Sequence, residues 1–340
     1  MQRVAKILGI VALVLVAVAC AGITATIGWR PFLGPNARPL TNRTFEATPE
    51  RLKRGEYIAN YAAPCMACHT PHDWSKRDAP MIPGMLGAGG PFPETKVPGK
   101  LFPPNLTPDK ETGAGTWTDD QLARAIREGV GHDGRALFPG MPYDNFQIMS
   151  DEDLASVIVY LRSLKPVHNV VPKSEIIFPV KYLIRSKPEP VTEPVSAPPA
   201  TADAITRGKY VIEIASCRDC HTPRDSHGER IPGMDYAGGE VLTGDFPTVA
   251  SMNLTTDPTG IPYYTKEMFI QTIRTGRVGG VRELSPIMPW HVFRGMTDED
   301  LGLIFDYLRS VKPVKHSVDN TEKPTYCRLC RQVHGLGEKN

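Results

Sequence analysis

Two copies of the string C-x-x-C-H constrain this chain more than any other feature: Cys65-Met-Ala-Cys68-His69 and Cys217-Arg-Asp-Cys220-His221. Two cysteines at this spacing with a histidine directly behind form the attachment pattern of c-type haem. The thiols add across the two vinyl groups, and the adjacent imidazole supplies an axial nitrogen to the iron. Disulfide turns and zinc sites also use C-x-x-C, but here both copies carry the histidine and stand in matching surroundings. Two covalently attached haem c groups are therefore expected, held by Cys65, Cys68, Cys217 and Cys220, with His69 and His221 on the irons. A group of that size supplies much of a domain's core, which suits a sequence with 33 prolines and 30 glycines.

The two strings belong to a longer internal repeat. Leu137–Val167 and Leu284–Val314 align without a gap, with 17 of 31 positions identical. Asp151-Glu-Asp-Leu154 matches Asp298-Glu-Asp-Leu301, and Tyr160-Leu-Arg-Ser163 matches Tyr307-Leu-Arg-Ser310. Upstream, Asn105-Leu-Thr107 faces Asn253-Leu-Thr255, Ile82-Pro-Gly-Met85 faces Ile231-Pro-Gly-Met234, and Arg54-Gly-x-Tyr57 faces Arg207-Gly-x-Tyr210. A two-fold repeat of this length means duplicated domains rather than a solenoid. The expected division is 44–185 and 205–316, joined by a proline-rich linker over 186–204 and followed by a tail over 317–340. Prolines recurring every few residues keep such a linker extended and semi-rigid.

Each copy reads as helix and long loop. Thr48-Pro49 starts a helix running to about Ala62 that delivers Cys65. Thr118-Asp-Asp-Gln121 is a capping box for Asp119–Glu128. Ser150 caps a last helix ending near Leu164, and Asp298–Val311 is its counterpart. Gly55 and Tyr57 are expected to let the first helix cross closely over the last near Tyr160. The chain lacks any alternating strand pattern of useful length, so the fold class is all-α.

The second axial position separates an electron carrier from a catalyst with an open iron. Met141 and Met288 sit in Pro-x-Met-Pro, where flanking prolines keep the segment out of helix. A thioether in such a loop is the expected sixth ligand, and it raises the haem potential. Met149 and Met296 instead precede helix N-caps, as hydrophobic staples to Leu154 and Leu301. Met85 and Met234 read as apolar pocket lining. His72 and His227 read as surface or propionate-side residues. His132 and His291 compete for iron only where the methionines fail. Asn105 and Asn253 either cap local backbone or hydrogen-bond a propionate.

Arg3 and Lys6 precede an uncharged stretch from Ile7 to Gly28, close to the ~20 residues that span a bilayer. Residues 1–30 are expected to be an uncleaved anchor, with two alternatives: lipidation at Cys20, or cleavage after Ala17-Val18-Ala19. Each puts the domains on the outer, periplasmic side of the cytoplasmic membrane. The net charge is only +2 and no basic block occurs, so no nucleic-acid partner is expected.

Asn105-Leu-Thr-Pro-Asp109, Thr112-Gly113, Trp117, Arg124-Ala-Ile-Arg-Glu-Gly129, Leu137-Phe-Pro-Gly-Met-Pro-Tyr143, Phe178-Pro179 and Arg185 resemble the cytochrome c subunits of membrane-bound alcohol and gluconate dehydrogenases. The likeness covers about residues 50–186 well and the second copy more loosely. It implies two tandem class I cytochrome c domains with His/Met haems behind the membrane helix: His69 with Met141, and His221 with Met288. It also implies redox partner proteins, with a dehydrogenase as donor and a quinone-linked acceptor or terminal oxidase beyond. Those subunits usually carry three haems. Here Cys327-Arg-Leu-Cys330 is followed by arginine instead of histidine, and ten residues remain. A disulfide is the plainest expectation there, with a metal or redox role beside His334 as the alternative. The function expected is outer-sphere electron carriage rather than catalysis. The competing class is a haem enzyme of the dihaem peroxidase or thiosulfate dehydrogenase type, which needs one open iron.

Overall fold

A computed structural model describes residues 2–93, 97–225, 228–318 and 320, together with the backbone of 325–326 and 333–334. Cys327, Cys330 and His227 lie outside the described residues, as does the side chain of His334. The N-terminal stretch forms helix α1 (Gln2–Thr26), with mean hydropathy 2.8 and no buried residue, long and apolar enough to cross a membrane. Gly28, at φ 68°, turns the chain into the short helix α2 (Arg30–Leu33).

Capping residues start the helices of the first half where the sequence predicts. The Thr48 hydroxyl accepts from the Arg51 amide and opens α3 (Pro49–Tyr57), with proline at the first turn where its missing N–H is harmless. The chain then widens into a single π-helical turn over Ile58–Ala62 and delivers α4 (Cys65–His69). Thr118 and Gln121 form both bonds of the capping box that opens α5 (Asp119–Glu128), and Gly129 closes it in the left-handed conformation. A short helix α6 (Tyr143–Phe146) leads to α7 (Asp151–Ser163), whose N-cap is Ser150. Helix α8 (Val180–Leu183) precedes the linker.

The second half repeats this order. Helices α9 (Ala204–Ile214), α10 (Cys217–His221), α11 (Lys266–Thr275), α12 (Trp290–Phe293) and α13 (Asp298–Ser310) correspond to α3, α4, α5, α6 and α7. Among the described residues, β-structure is confined to antiparallel pairs of two-residue strands, such as Gly99–Lys100 with Glu175–Ile176, and to isolated bridges such as His72 with Met81. The structure is mostly helical behind an apolar N-terminal helix.

In each half the first helix crosses the last, and a glycine sets how closely. A Cβ on Gly55 would stand 1.9 Å from the Ser156 carbonyl oxygen, and one on Gly208 would stand 2.2 Å from that of Leu303. Two apolar cores result. One gathers Ile58, Met66, Leu122, Phe146, Leu154 and Ile158; the other gathers Ile212, Tyr236, Phe269, Phe293, Leu301 and Ile304.

The cores are not independent. Tyr210 and Ile214 of α9 belong to the first, while Ala62, from the turn after α3, belongs to the second. Polar contacts repeat the exchange. The Tyr57 hydroxyl donates to Asp300 at 2.5 Å and accepts from the amide of Thr297, the N-cap of α13. The Tyr210 hydroxyl donates to Asp153 at 2.7 Å and accepts from the amide of Ser150, the N-cap of α7. The halves thus dock through a reciprocal contact. Gly55 makes the crossing near Tyr160, as the sequence leads one to expect, while Tyr57 packs against both cores and has its hydroxyl satisfied in the other half by a carboxylate and an orphan cap amide. The linker is held down as well, by paired bonds between Val195 and Asp151.

Candidate cofactor sites

Helical spacing places Cys65, Cys68 and His69 on one face of α4, and Cys217, Cys220 and His221 on one face of α10. The ring of His69 faces the Pro104 carbonyl through Nδ1 at 2.9 Å; that of His221 faces the Met252 carbonyl at 2.7 Å. A carbonyl only accepts, so Nδ1 carries the proton and Nε2 is left as the nitrogen free to ligate.

The acceptor carbonyls are themselves held. Asn105 accepts from the Thr107 amide at 2.9 Å and donates to the Val167 carbonyl at 2.8 Å, pinning the loop to the end of α7. Asn253 does the same with Thr255 and Val314. Of the two roles open to these asparagines, the structure has backbone capping. Gly89, at φ 70°, brings its backbone against this loop: a Cβ there would be 2.6 Å from Pro104 and Asn105 atoms. Gly238 is its counterpart against Met252 and Asn253.

Met141 and Cys65 both pack against the first core, and Met288 and Cys217 both pack against the second. Tight turns hold both, with the Met141 amide on Phe138 O at 3.0 Å and the Met288 amide on Ser285 O at 3.1 Å. Met149 and Met296 are almost fully buried near Leu154 and Leu301, as staples require. Met85 and Met234 are half-buried.

The thiols sit in apolar surroundings. Burial pushes Cys65 up to about 12 and Cys68 to about 11, with the mutual effect of the pair adding to Cys65. Burial likewise raises Cys217 and Cys220 to about 12. These are not the activated thiolates of a redox dithiol, which need a cationic or helix-terminal setting. Ala67 of α4 and Cys217 of α10 both pack against the second core, so both attachment helices border it across the docked halves. Burial also pushes His69 and His221 down, opposed by their carbonyl partners.

Several interface residues lacked a local signal. His72, read as a surface or propionate-side residue, bonds the carbonyls of Ala79 and Met66 and packs edge-on against His291 at 5.3 Å. His291 is mostly buried, and burial, then His72, pushes it down to about 4. Arg77 covers the Trp290 ring at 5.1 Å and pairs with Glu283 at 3.0 Å. At the equivalent place, Asn145 donates to Asp219 at 2.7 Å, and Arg230 bridges Asp219 to Asp144. His132 stacks on Trp117 instead, with ring centroids 4.1 Å apart.

Tyr143 and Trp290, two residues beyond the candidate methionines, are 1% exposed, yet Tyr143 Oη and Trp290 Nε1 have no partner among the described residues. Buried donors without acceptors call for a group that supplies one. A haem propionate is such an acceptor. With two thiols, an imidazole Nε2 and a thioether in each half, the donor set suits c-type haem. The signal that finds these two residues is the repeated Met-Pro-aromatic triplet.

The fold and site define a class: residues 53–165 match the family model for cytochrome c. This region is a cytochrome c domain, and such a domain implies covalently attached haem c. The chain is 30% identical over 290 residues to the fructose dehydrogenase cytochrome subunit of Gluconobacter japonicus, covering 82% of this chain and 56% of that one. It is 29% identical over 296 residues to the cytochrome c subunit of the quinone alcohol dehydrogenase of Gluconacetobacter polyoxogenes, covering 82% and 59%. A diheme cytochrome c-type protein of Cereibacter sphaeroides is 28% identical over 204 residues, covering 57% and 65%. The chain spans a little over half the length of the two dehydrogenase subunits.

Proposed function

We propose that this chain is a membrane-tethered dihaem c-type cytochrome. It carries electrons on the periplasmic side between a dehydrogenase donor and a quinone-linked or terminal-oxidase acceptor. In this reading 44–185 and 205–316 are tandem class I cytochrome c domains, 186–204 links them, and α1 is the retained anchor. Cys65, Cys68, His69 and Met141 hold one haem; Cys217, Cys220, His221 and Met288 hold the other. The observation that carries the reading is the duplication of one arrangement: a C-x-x-C-H helix, a histidine with Nδ1 on a held carbonyl, and a methionine loop against the same core. The names of the relatives, cytochrome c subunits of dehydrogenases, support the carrier role.

When bound, each group supplies a one-electron ferrous–ferric couple. The chain's part is positional. Pro104 and Met252 orient the imidazoles, Met141 and Met288 would offer each haem a thioether ligand, and the surrounding apolar core would keep water from it. Tyr143 and Trp290 offer donors to a propionate. The docked halves set Ala67 of α4 and Cys217 of α10 against one core, which supports exchange between the two centres.

A pyridine haemochrome assay on the purified chain is expected to give two haems per polypeptide; one or three overturns the reading. Replacing Met141 or Met288 by leucine is expected to remove about half of the far-red band of Met–Fe(III) ligation, since each supplies one of two such ligands. Loss of that band in Met85→Leu instead, or high-spin features in the wild type, overturns the ligand assignment.

A further inference from the structure

Beyond Gly28 the chain builds a small apolar structure just outside the span. Helices α2 and α8, far apart in sequence, pack together here. Pro31 and Ile184 fill the contact and are buried, and the Arg185 guanidinium donates to the Pro31 carbonyl at 2.9 Å. The remaining large apolar side chains are exposed: Trp29 41%, Phe32 59% and Leu33 75% at α2, with Ile177 55%, Phe178 76% and Leu183 39% at α8 and its lead-in. A water-facing surface seldom gathers so many, and contiguous patches of this kind mark contacts.

Three observations on this face name the occupant. Arg30 follows the end of α1 at Thr26 by four residues, so a bilayer that holds α1 has its boundary here. The apolar groups are rimmed by cations: Arg30 lies among them, and Lys181 and Arg185 stand over the Tyr182 ring at 5.1 and 4.7 Å. Aromatic and aliphatic side chains with lysine and arginine at the margin match the headgroup–acyl boundary, where rings sit and cations reach phosphate. Finally, the face is fastened to the first half. Glu175–Ile176 pairs with Gly99–Lys100 just before it, and Arg38, just beyond α2, is clamped by Asp120 at 2.7 Å and Glu128 at 2.9 Å.

We propose that α2 and residues 177–185 form a membrane-seating foot, buried in the headgroup–acyl boundary of the leaflet from which α1 emerges. A span followed by loose chain lets a domain tumble; this foot holds the first half, and the second half docked on it, in one orientation over a bilayer containing anionic phospholipid. The inference rests on α1 being retained as a span.

The test uses the full-length, haem-loaded chain in nanodiscs of phosphatidylcholine and phosphatidylglycerol that carry an acyl-chain diazirine. Irradiation and peptide mapping by mass spectrometry are expected to find lipid adducts on 7–26, on 29–33 and on 177–185. The double variant Phe178→Glu/Leu183→Glu is expected to cut adducts on 177–185 by about tenfold or more, since burying one such side chain is worth that factor. Its adducts on 7–26 should stay unchanged. Both residues are partly or largely exposed, and an unchanged visible spectrum checks that the variant is folded. Adducts confined to 7–26 overturn the foot and leave the span standing. Absence of adducts from 7–26 as well overturns the retained span, and the foot falls with it. Cross-linking of 177–185 to another polypeptide rather than to lipid, in native membranes, also overturns the proposal.

Discussion

Asp120 is completely buried and still carries a charge, because residues from another segment surround it. Arg38 donates to it at 2.9 and 2.7 Å, and Thr41 adds its amide at 2.6 Å and its hydroxyl at 3.0 Å. Burial pushes the carboxyl up, but these bonds outweigh it and hold it at about 2, against 3.8 for an ordinary aspartate. The folded value lies below the unfolded one, so the stabilisation is present above pH 3.8 and fades as pH falls to about 2. Glu128 runs the other way: burial raises it despite Arg38 at 2.9 Å, so its share is lost as pH rises through that raised value. Thermal melting across pH should show an acid limb in the wild type that Asp120→Asn flattens. The variant should also be ~3 kcal/mol less stable at neutral pH, since one partner of a buried pair is lost. An acid limb of full size in the variant would remove Asp120 from this role. Asp119 and Asp120 are visible in the sequence only as first-turn acids; Arg38 and Thr41, far upstream, decide what Asp120 does.

At the level of elements, the helix crossings are governed by single atoms. Gly55→Ala drives a methyl into the Ser156 carbonyl, and Gly208→Ala drives one into that of Leu303. These are backbone atoms in the middle of α7 and α13, so neither can turn aside. Each substitution should cost ~1–3 kcal/mol by overpacking, read as a lower denaturant midpoint, and the two should cost similar amounts. A neutral Gly55→Ala would mean that the helices are free to slide apart. Helix positions were legible from Thr48-Pro49, Thr118-Asp-Asp-Gln121 and Ser150, because a cap is satisfied within a few residues of itself. The Gly55 crossing was legible from the repeated Arg-Gly-x-Tyr. The widening at Ile58–Ala62 was not, since no proline or glycine marks it.

The whole molecule depends on the exchange between halves. Tyr57 and Tyr210 each donate to a carboxylate of the opposite last helix, and burial, with Asp300 second, pushes the Tyr57 hydroxyl up to about 12, so it stays a donor. Removing one hydroxyl should cost ~1.5–3 kcal/mol as a bond to a charged group. The double variant Tyr57→Phe/Tyr210→Phe is expected to loosen the docking. Small-angle scattering should then give a larger radius of gyration, and exchange between the two centres should slow, with an unchanged visible spectrum. Unchanged dimensions and rate in the double variant would show that the apolar contacts of Tyr210, Ile214 and Ala62 suffice. The repeat made two similar halves legible, yet nothing in it pairs Tyr57 with Asp300 rather than with its own last helix.

By itself, the sequence determined most of what is local, the widening at Ile58–Ala62 apart. It set the C-x-x-C-H faces, the helix caps, the staples, the close-crossing glycines, the methionines in proline-bounded loops and the apolar first helix. Each of these works through neighbours within one or two turns, so spacing alone displays it. Only the tertiary structure decided which carbonyls hold His69 and His221, that the asparagines cap backbone, that Tyr143 and Trp290 bury donors without a partner among the described residues, and how the halves meet. Those outcomes pair surfaces more than a hundred residues apart in several cases, such as Tyr57 with Asp300 and Arg77 with Glu283. Many partners of similar chemistry compete for such pairings, and shape and burial choose among them only once the chain has folded.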